Sequence, residues 1–332
     1  MAWRNTLACV VVLNVMVLFV FMKPRFGYKR TVEGDASDCK PAVKGYPERA
    51  QPRFLYAIQT ERCLPIHLKK ALGNPNECNC DVLVLSYKHR CKAVFPRHVK
   101  YINGYSLSWP EGRNLLWQVA KSRHTQYLYY IFIDDDIILN TTEVGNPWRQ
   151  FERFLINIEP AVAAVETNTN QYFPRRIKAI QHNKCVVDDR REYITTARFD
   201  EAFNAFHTQA LDYLLPYSTN HINQSWWYSG VHFGIKCEVT FQGHMVLHTQ
   251  ITALNRRHRP YPRRAIRRKD AIMIVNEVAA EIPGKYRNNS VFLGWKRDGR
   301  KHETLSSTYC LPPPPPHMPI KPFALLEAPT PG

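Results

Sequence analysis

Tyr127-Leu128-Tyr129-Tyr130-Ile131-Phe132-Ile133-Asp134-Asp135-Asp136 decides how this chain is read. Seven aromatic, β-branched or leucine residues in a row have the composition of a strand buried on both faces. Three carboxylates follow without a spacer. Upstream, Ser108-Trp109-Pro110-Glu111 has the form of a capping box and precedes Leu115, Leu116, Val119 and Ala120 on one helical face, so a helix feeds the strand. Further back, Asp81 to Ser86 is a compact apolar run, expected to be the first core strand, with a second near Val99 to Ile102. Downstream, Asn146-Pro147 opens a helix through Trp148, Phe151, Phe154 and Leu155. Strands at Ala161 to Val165 and Phe203 to Phe206 follow, then a helix from His207 to Leu215 stopped by Pro216. This alternation predicts an α/β fold with a mostly parallel twisted sheet flanked by helices, in which ligands sit beyond the carboxyl ends of the strands.

Asp134, Asp135 and Asp136 lie at such an end. Adjacent carboxylates repel one another, and a strand surfacing from a core is a costly place for them unless a cation compensates. Mg²⁺ or Mn²⁺ is suited to this, taking oxygen ligands and keeping positions open for phosphate oxygens. The plain alternative is an acidic turn that merely caps the strand.

The surrounding sequence points to a membrane-anchored, lumenal body. Leu7 to Met22 is apolar except for Asn14 and reaches roughly 24 Å as a helix, near the thickness of early secretory membranes once its flanks are added. It ends Phe21-Met22-Lys23-Pro24 without a small-residue cleavage site, which favours a retained signal anchor. The positive-inside rule would place the carboxyl side in the cytoplasm. Two signs oppose it: an even set of eight cysteines outside the anchor, and sequons at Asn140, Asn223 and Asn288. The expected layout is a cytoplasmic tail at 1–6, an anchor at 7–22, a stem at 23–53, a folded domain at 54–310 and a proline-rich tail at 311–332. Cys78-Asn79-Cys80 lacks the spacing of a zinc knuckle and no second close pair completes a four-ligand site, so disulfides are the expectation. The net charge of +17 implies an anion-attracting surface without choosing the anion.

The strand with its acidic triplet, the preceding Gly112-Arg113-Asn114 and the membrane layout together resemble the GT-A-fold glycosyltransferases with a D-x-D motif. The resemblance spans about Asp81 to Arg264. It implies transfer of a sugar from a nucleotide-sugar donor to a glycan, glycoprotein or glycolipid in the lumen of the Golgi, with the endoplasmic reticulum as the alternative, Mn²⁺ or Mg²⁺ as cofactor and no nucleic-acid partner. It also implies that Asp136 binds the metal, that Asp134 approaches the ribose or the metal, and that Ser86 and Tyr87 lie near the base. Arg113 is taken as a donor-side residue.

Such enzymes often take a further metal ligand from a downstream His, here His248 at the end of Gly243 to His248, with His244 second. The basic run from Arg256 to Lys269 supplies Arg259 and Arg263 as candidates to hold the departing diphosphate. Trp226 and Trp227 are candidates to stack on an acceptor sugar, and Asp200 and Glu201 to act as general base. The family's acidic pair at the start of the acceptor-side helix has no counterpart in Asn223 to Trp227, which leaves the stereochemical course open. Two other readings stand beside this one: a lumenal glycan-binding protein with a decayed site, and a metal-dependent nuclease.

Overall fold

The computed structural model describes residues 53–74, 77–93, 96–167, 193–196, 199–255, 268–288, 290–298 and 320. The expected anchor, most of the stem, most of the basic run including Arg259 and Arg263, and nearly all of the tail lie outside them. Among the described residues, no helix is long and apolar enough to cross a membrane.

The fold is mixed α/β. Its centre is one nine-stranded sheet. Strand β1 (Phe54–Thr60) is buried at every residue and lies between β2 (Cys80–Ser86) and β4 (Tyr129–Asp134), parallel to both. β3 (Val99–Asn103) extends the parallel block beyond β2. Asp81 to Ser86 therefore forms a core strand as expected, but the first core strand is β1. Its run closes on Gln59-Thr60, polar residues that an apolar pattern does not pick out. After a two-residue turn, Ile137–Thr141 forms β5. Val162–Thr167 is β6, Tyr193–Thr195 is β7, Phe203–His207 is β8 and Met245–Asn255 is β9. β8 runs antiparallel between β4 and β6, while β6 and β9 pair in parallel. β5 and β7 both pair antiparallel with β9. Six strands thus share one direction and three oppose it, so the sheet is mostly parallel.

Seven helices are described: α1 (Ile66–Leu72), α2 (Trp109–Lys121), α3 (Pro147–Ile158), α4 (Thr208–Leu214), α5 (Trp227–Phe241), α6 (Arg268–Glu281) and α7 (Ser290–Asp298). The start signals work as read. The Glu111 carboxylate accepts from the Ser108 backbone N–H at 2.8 Å, and Asn146 Oδ1 accepts from Trp148 N at 2.9 Å with Pro147 behind it. α3 covers one sheet face through Trp148, Phe151, Phe154 and Leu155, while α2, α4 and α5 cover the other. A third cluster joins α5 to α6 and α7 around Val239, Val275 and Trp295.

Cys63 is bonded to Cys91 and Cys78 to Cys80. Cys237 is a free thiol buried in the core, so it stands apart from the expected disulfide set. Asn140, Asn223 and Asn288 are exposed.

Candidate active site

A cleft of about 560 Å³ opens where β1, β2 and β4 end together. Its size is that of a site for a small organic ligand. All three carboxylates of the triplet line it, as do Gln59 and Thr60 from β1, Tyr87 and Lys88 beyond β2, Asp200 ahead of β8, Asn255 at the end of β9, and Trp226.

The triplet is not a symmetric cluster. Asp134 is the last residue of β4, and its Oδ1 accepts from Arg113 Nη2 at 2.7 Å and from Trp109 Nε1 at 3.0 Å. Arg113 is only 1% exposed, and its guanidinium lies 4.4 Å from the Trp109 ring centroid and 5.6 Å from that of Phe132. Burial works to lower the Arg113 pKa. Asp134 outweighs that with help from Tyr217 and Glu201, and the value rises above the ordinary arginine range. Asp135 has its carboxyl raised by burial and by Asp134, against a hydrogen bond from Thr60. Asp136 occupies the turn into β5.

Gly112-Arg113-Asn114 forms the structural link that orients this wall. An added Cβ at Gly112 would lie 2.2 Å from Gln59 Nε2, so glycine lets the first turn of α2 rest directly on β1. Asn114 grips the Tyr217 backbone in both directions, donating to its carbonyl at 2.9 Å and accepting from its N–H at 2.7 Å.

The second carboxylate wall comes from Asp200-Glu201, and the two residues part company. Asp200 lines the cleft, where its Oδ1 accepts from Ala202 N at 2.9 Å and its Oδ2 from Thr167 Oγ1 at 3.4 Å. Glu201 turns inward towards Arg113, Tyr217 and Cys237, with an oxygen 3.0 Å from where a Cβ on Gly230 would sit. Gly230 thereby leaves room for a carboxylate that balances Arg113 from behind.

On the opposite side, two loops prolong the parallel sheet past its strands. Tyr87 N donates to Thr60 O at 3.0 Å and Lys88 N to Glu61 O at 3.1 Å, and the Cys63–Cys91 bond fastens the loops together. Ser86 is fully buried, its hydroxyl directed at the carbonyls of Arg62 and His89. It therefore positions this wall, whereas Tyr87 faces the cleft.

Other expected site residues lie elsewhere. His248 is on β9 ahead of the bulge where Val165 pairs with it and Glu166 with Thr252, and its ring packs edge-on to Phe154 at 4.8 Å. Burial lowers its pKa to about 4, so the imidazole is neutral, but it does not line the cleft. His244 is likewise buried and outside the lining. Trp226 reaches the cleft at 38% exposure, while Trp227 opens α5 and packs against the α5–α6–α7 cluster. Sequence reasoning missed Gln59, Thr60, Lys88 and Asn255. Asn255 stands directly before the basic run in the chain.

No protein-family model matches the sequence and no curated protein matches it. Among solved structures, a mycobacterial protein is similar at 11% identity over 70% of this chain and 76% of its own, with a TM-score of 0.38. Glucosyl-3-phosphoglycerate synthase from Mycobacterium tuberculosis, solved with Mn²⁺, uridine diphosphate and phosphoglyceric acid, is similar at 12% identity over 63% of this chain and 72% of its own, TM-score 0.37. A protein from Desulfovibrio desulfuricans G20, assigned as a nucleotide-diphospho-sugar transferase, is similar at 9% identity over 76% of this chain and 97% of its own, TM-score 0.34. At such overlaps the functional reading rests on the cleft.

Proposed function

We propose that this chain is a metal-dependent glycosyltransferase, moving a sugar from a nucleoside-diphosphate donor to an acceptor hydroxyl. The observation that carries the reading is the convergence of Asp134, Asp135 and Asp136 with Asp200 on one cleft at the carboxyl end of a mostly parallel sheet. Oxygen donors on that wall fit Mn²⁺ or Mg²⁺, which bind through one or two carboxylates and fill the remaining positions with phosphate oxygens. Asp136, with Asp134 or Asp135 beside it, would hold the ion, and its chemistry there is to offset the negative charge that develops on the leaving diphosphate.

The protein's own groups divide the remaining work. Tyr87 and Lys88 flank the side on which the base and ribose would lie. Arg113 and Trp109 fix the Asp134 carboxylate so that it need not reorganise when a charged ligand arrives. Trp226 offers an aromatic face to the acceptor. Asp200 is the general base of this scheme: as the acceptor oxygen bonds to the anomeric carbon and the bond to the diphosphate oxygen breaks, the hydroxyl proton passes to Asp200. Glu201, turned inward, is assigned no proton transfer. In this reading the body is lumenal and anchored by residues 7–22, and the exposed sequon asparagines suit that compartment.

The test is a thermal-shift panel of nucleoside diphosphates with and without Mn²⁺, run on the wild type and on Asp136→Asn. One nucleotide is expected to raise the melting temperature only with the cation present, and D136N to abolish the shift while melting like the wild type. A panel with no shift for any nucleotide would sink the assignment. Nucleotide-independent glycan binding that survives D136N would favour the lectin reading instead.

A further inference from the structure

Away from the cleft, Cys78 and Cys80 meet Glu152 of α3, and one ligand atom from each lies within 4.8 Å of the others. All three residues are buried. The site lies at the opposite end of β2 from the cleft, about 20 Å away at 3.3 Å per residue. From this geometry we infer that Cys78, Cys80 and Glu152 form a binding site for Zn²⁺ when the Cys78–Cys80 bond is reduced.

Three observations support the site. The ligand set is two sulfurs and a carboxylate, a combination that Zn²⁺ accepts, and tetrahedral Zn–S bonds of about 2.3 Å need the sulfurs only about 3.8 Å apart. The two Cα atoms, at 5.1 Å, already allow such a span. The carboxylate is also oriented from outside: Tyr56 Oη donates to Glu152 Oε1 at 2.8 Å and Arg149 Nη1 lies 2.8 Å from Oε2. Partners of this kind hold a ligand in its binding pose. Charge closes as well. Two thiolates and the Glu152 carboxylate carry −3, while Zn²⁺ and the Arg149 guanidinium carry +3. Arg149 Nε and Nη2 are buried without a hydrogen-bond partner, so this cation gains from added negative charge at its side.

As a staple, the disulfide is weak. It closes a loop across a sequence separation of only 2, against 28 for Cys63–Cys91, and in the chain-entropy account short loops constrain the unfolded chain least. The conversion balances: a dithiol reductant supplies two electrons and two protons, the Sγ–Sγ bond breaks, and both protons leave when Zn²⁺ binds the thiolates. Sequence spacing alone did not show this site, because its third ligand is 72 residues from Cys80 and comes near it only when α3 packs on the sheet face.

The test uses the full chain, reduced and freed of metal, titrated with Co²⁺ and Zn²⁺. One equivalent of Co²⁺ should produce an intense near-ultraviolet thiolate-to-cobalt band that Zn²⁺ bleaches, and the oxidised chain should give none. Cys78→Ser and Cys80→Ser should each remove the band, Cys63→Ser and Asp136→Asn should leave it, and Glu152→Gln should weaken Zn²⁺ binding tenfold or more. Absence of the band in the reduced wild type, which requires no variant to fold, or its persistence in C78S/C80S, would overturn the inference.

Discussion

Arg113→Met is the most informative single change at the cleft, because Arg113 supports the triplet without lining the pocket. The guanidinium is 1% exposed and the Asp134 side chain 26% exposed, with 2.7 Å between Nη2 and Oδ1. Methionine fills similar volume and removes the charge, leaving Asp134 with only the Trp109 N–H among these two partners. Breaking a buried pair in this way costs about 3–5 kcal/mol, and the partial exposure of Asp134 places this case near 3. Loss of the cation–π contact with Trp109 adds about 1 kcal/mol. A total of about 4 kcal/mol corresponds to a fall in melting temperature of roughly 10 °C for a domain of this size.

Denaturant unfolding followed by tryptophan fluorescence measures the difference, and a double-mutant cycle apportions it. Arg113→Met with Asp134→Asn should recover at least about 2 kcal/mol of the loss, since the stranded charge is then gone. Arg113→Lys keeps the charge without the planar fork and should fall between wild type and R113M. If R113M melts within 2 °C of the wild type, or if the two single changes simply add to within about 0.5 kcal/mol, the buried pair does not hold Asp134 and the account of this wall is wrong.

Gly112→Ala should destabilise by about 1–3 kcal/mol and weaken nucleotide binding, because the new Cβ meets Gln59 Nε2 at 2.2 Å and Leu85 Cδ2 at 2.9 Å; paired melting curves and binding isotherms check both. Burial raises the Glu152 pKa from 4.5 to about 7 against the pull of Arg149, so its stabilising effect is complete below pH 4.5 and is lost as pH rises through 7. The oxidised wild type should therefore lose up to about 3 kcal/mol between pH 5 and 8, and Glu152→Gln should flatten that slope in pH-resolved unfolding. Arg113 already offsets one carboxylate of the triplet, so Mn²⁺ alone should bind weakly, and a nucleoside diphosphate should tighten it by the same factor that Mn²⁺ tightens the nucleotide. Calorimetric titrations in both orders measure the two factors, and independence of the two ligands would refute shared ligation.

Sequence patterning revealed those elements whose burial is one-sided or bounded by clear signals. Tyr127 to Ile133, the Ser108–Glu111 box and the Asn146-Pro147 start all appear where the residues indicate. α5 escaped because thirteen of its fifteen residues are buried, so its polar residues, among them His232 and Lys236 paired with Glu281, do not mark a solvent face. β5 escaped because it follows the triplet after a two-residue turn. His248 shows a different limit. Its chemistry as a neutral imidazole was legible, but the face it occupies depends on β9 pairing and on a bulge at Val165/Glu166, neither of which a single strand records.

The triplet itself shows how far charge repulsion can carry a functional argument. Read along the chain, three adjacent carboxylates call for a cation. In the folded protein part of that demand is met internally, because Arg113 takes Asp134. With one of the three already paired, repulsion alone is a weaker reason for a divalent ion than it is along the chain. The case for one now rests on their shared position with Asp200 in a cleft at the strand ends, since an acidic turn that merely capped β4 would need neither a buried arginine nor a second carboxylate wall facing it.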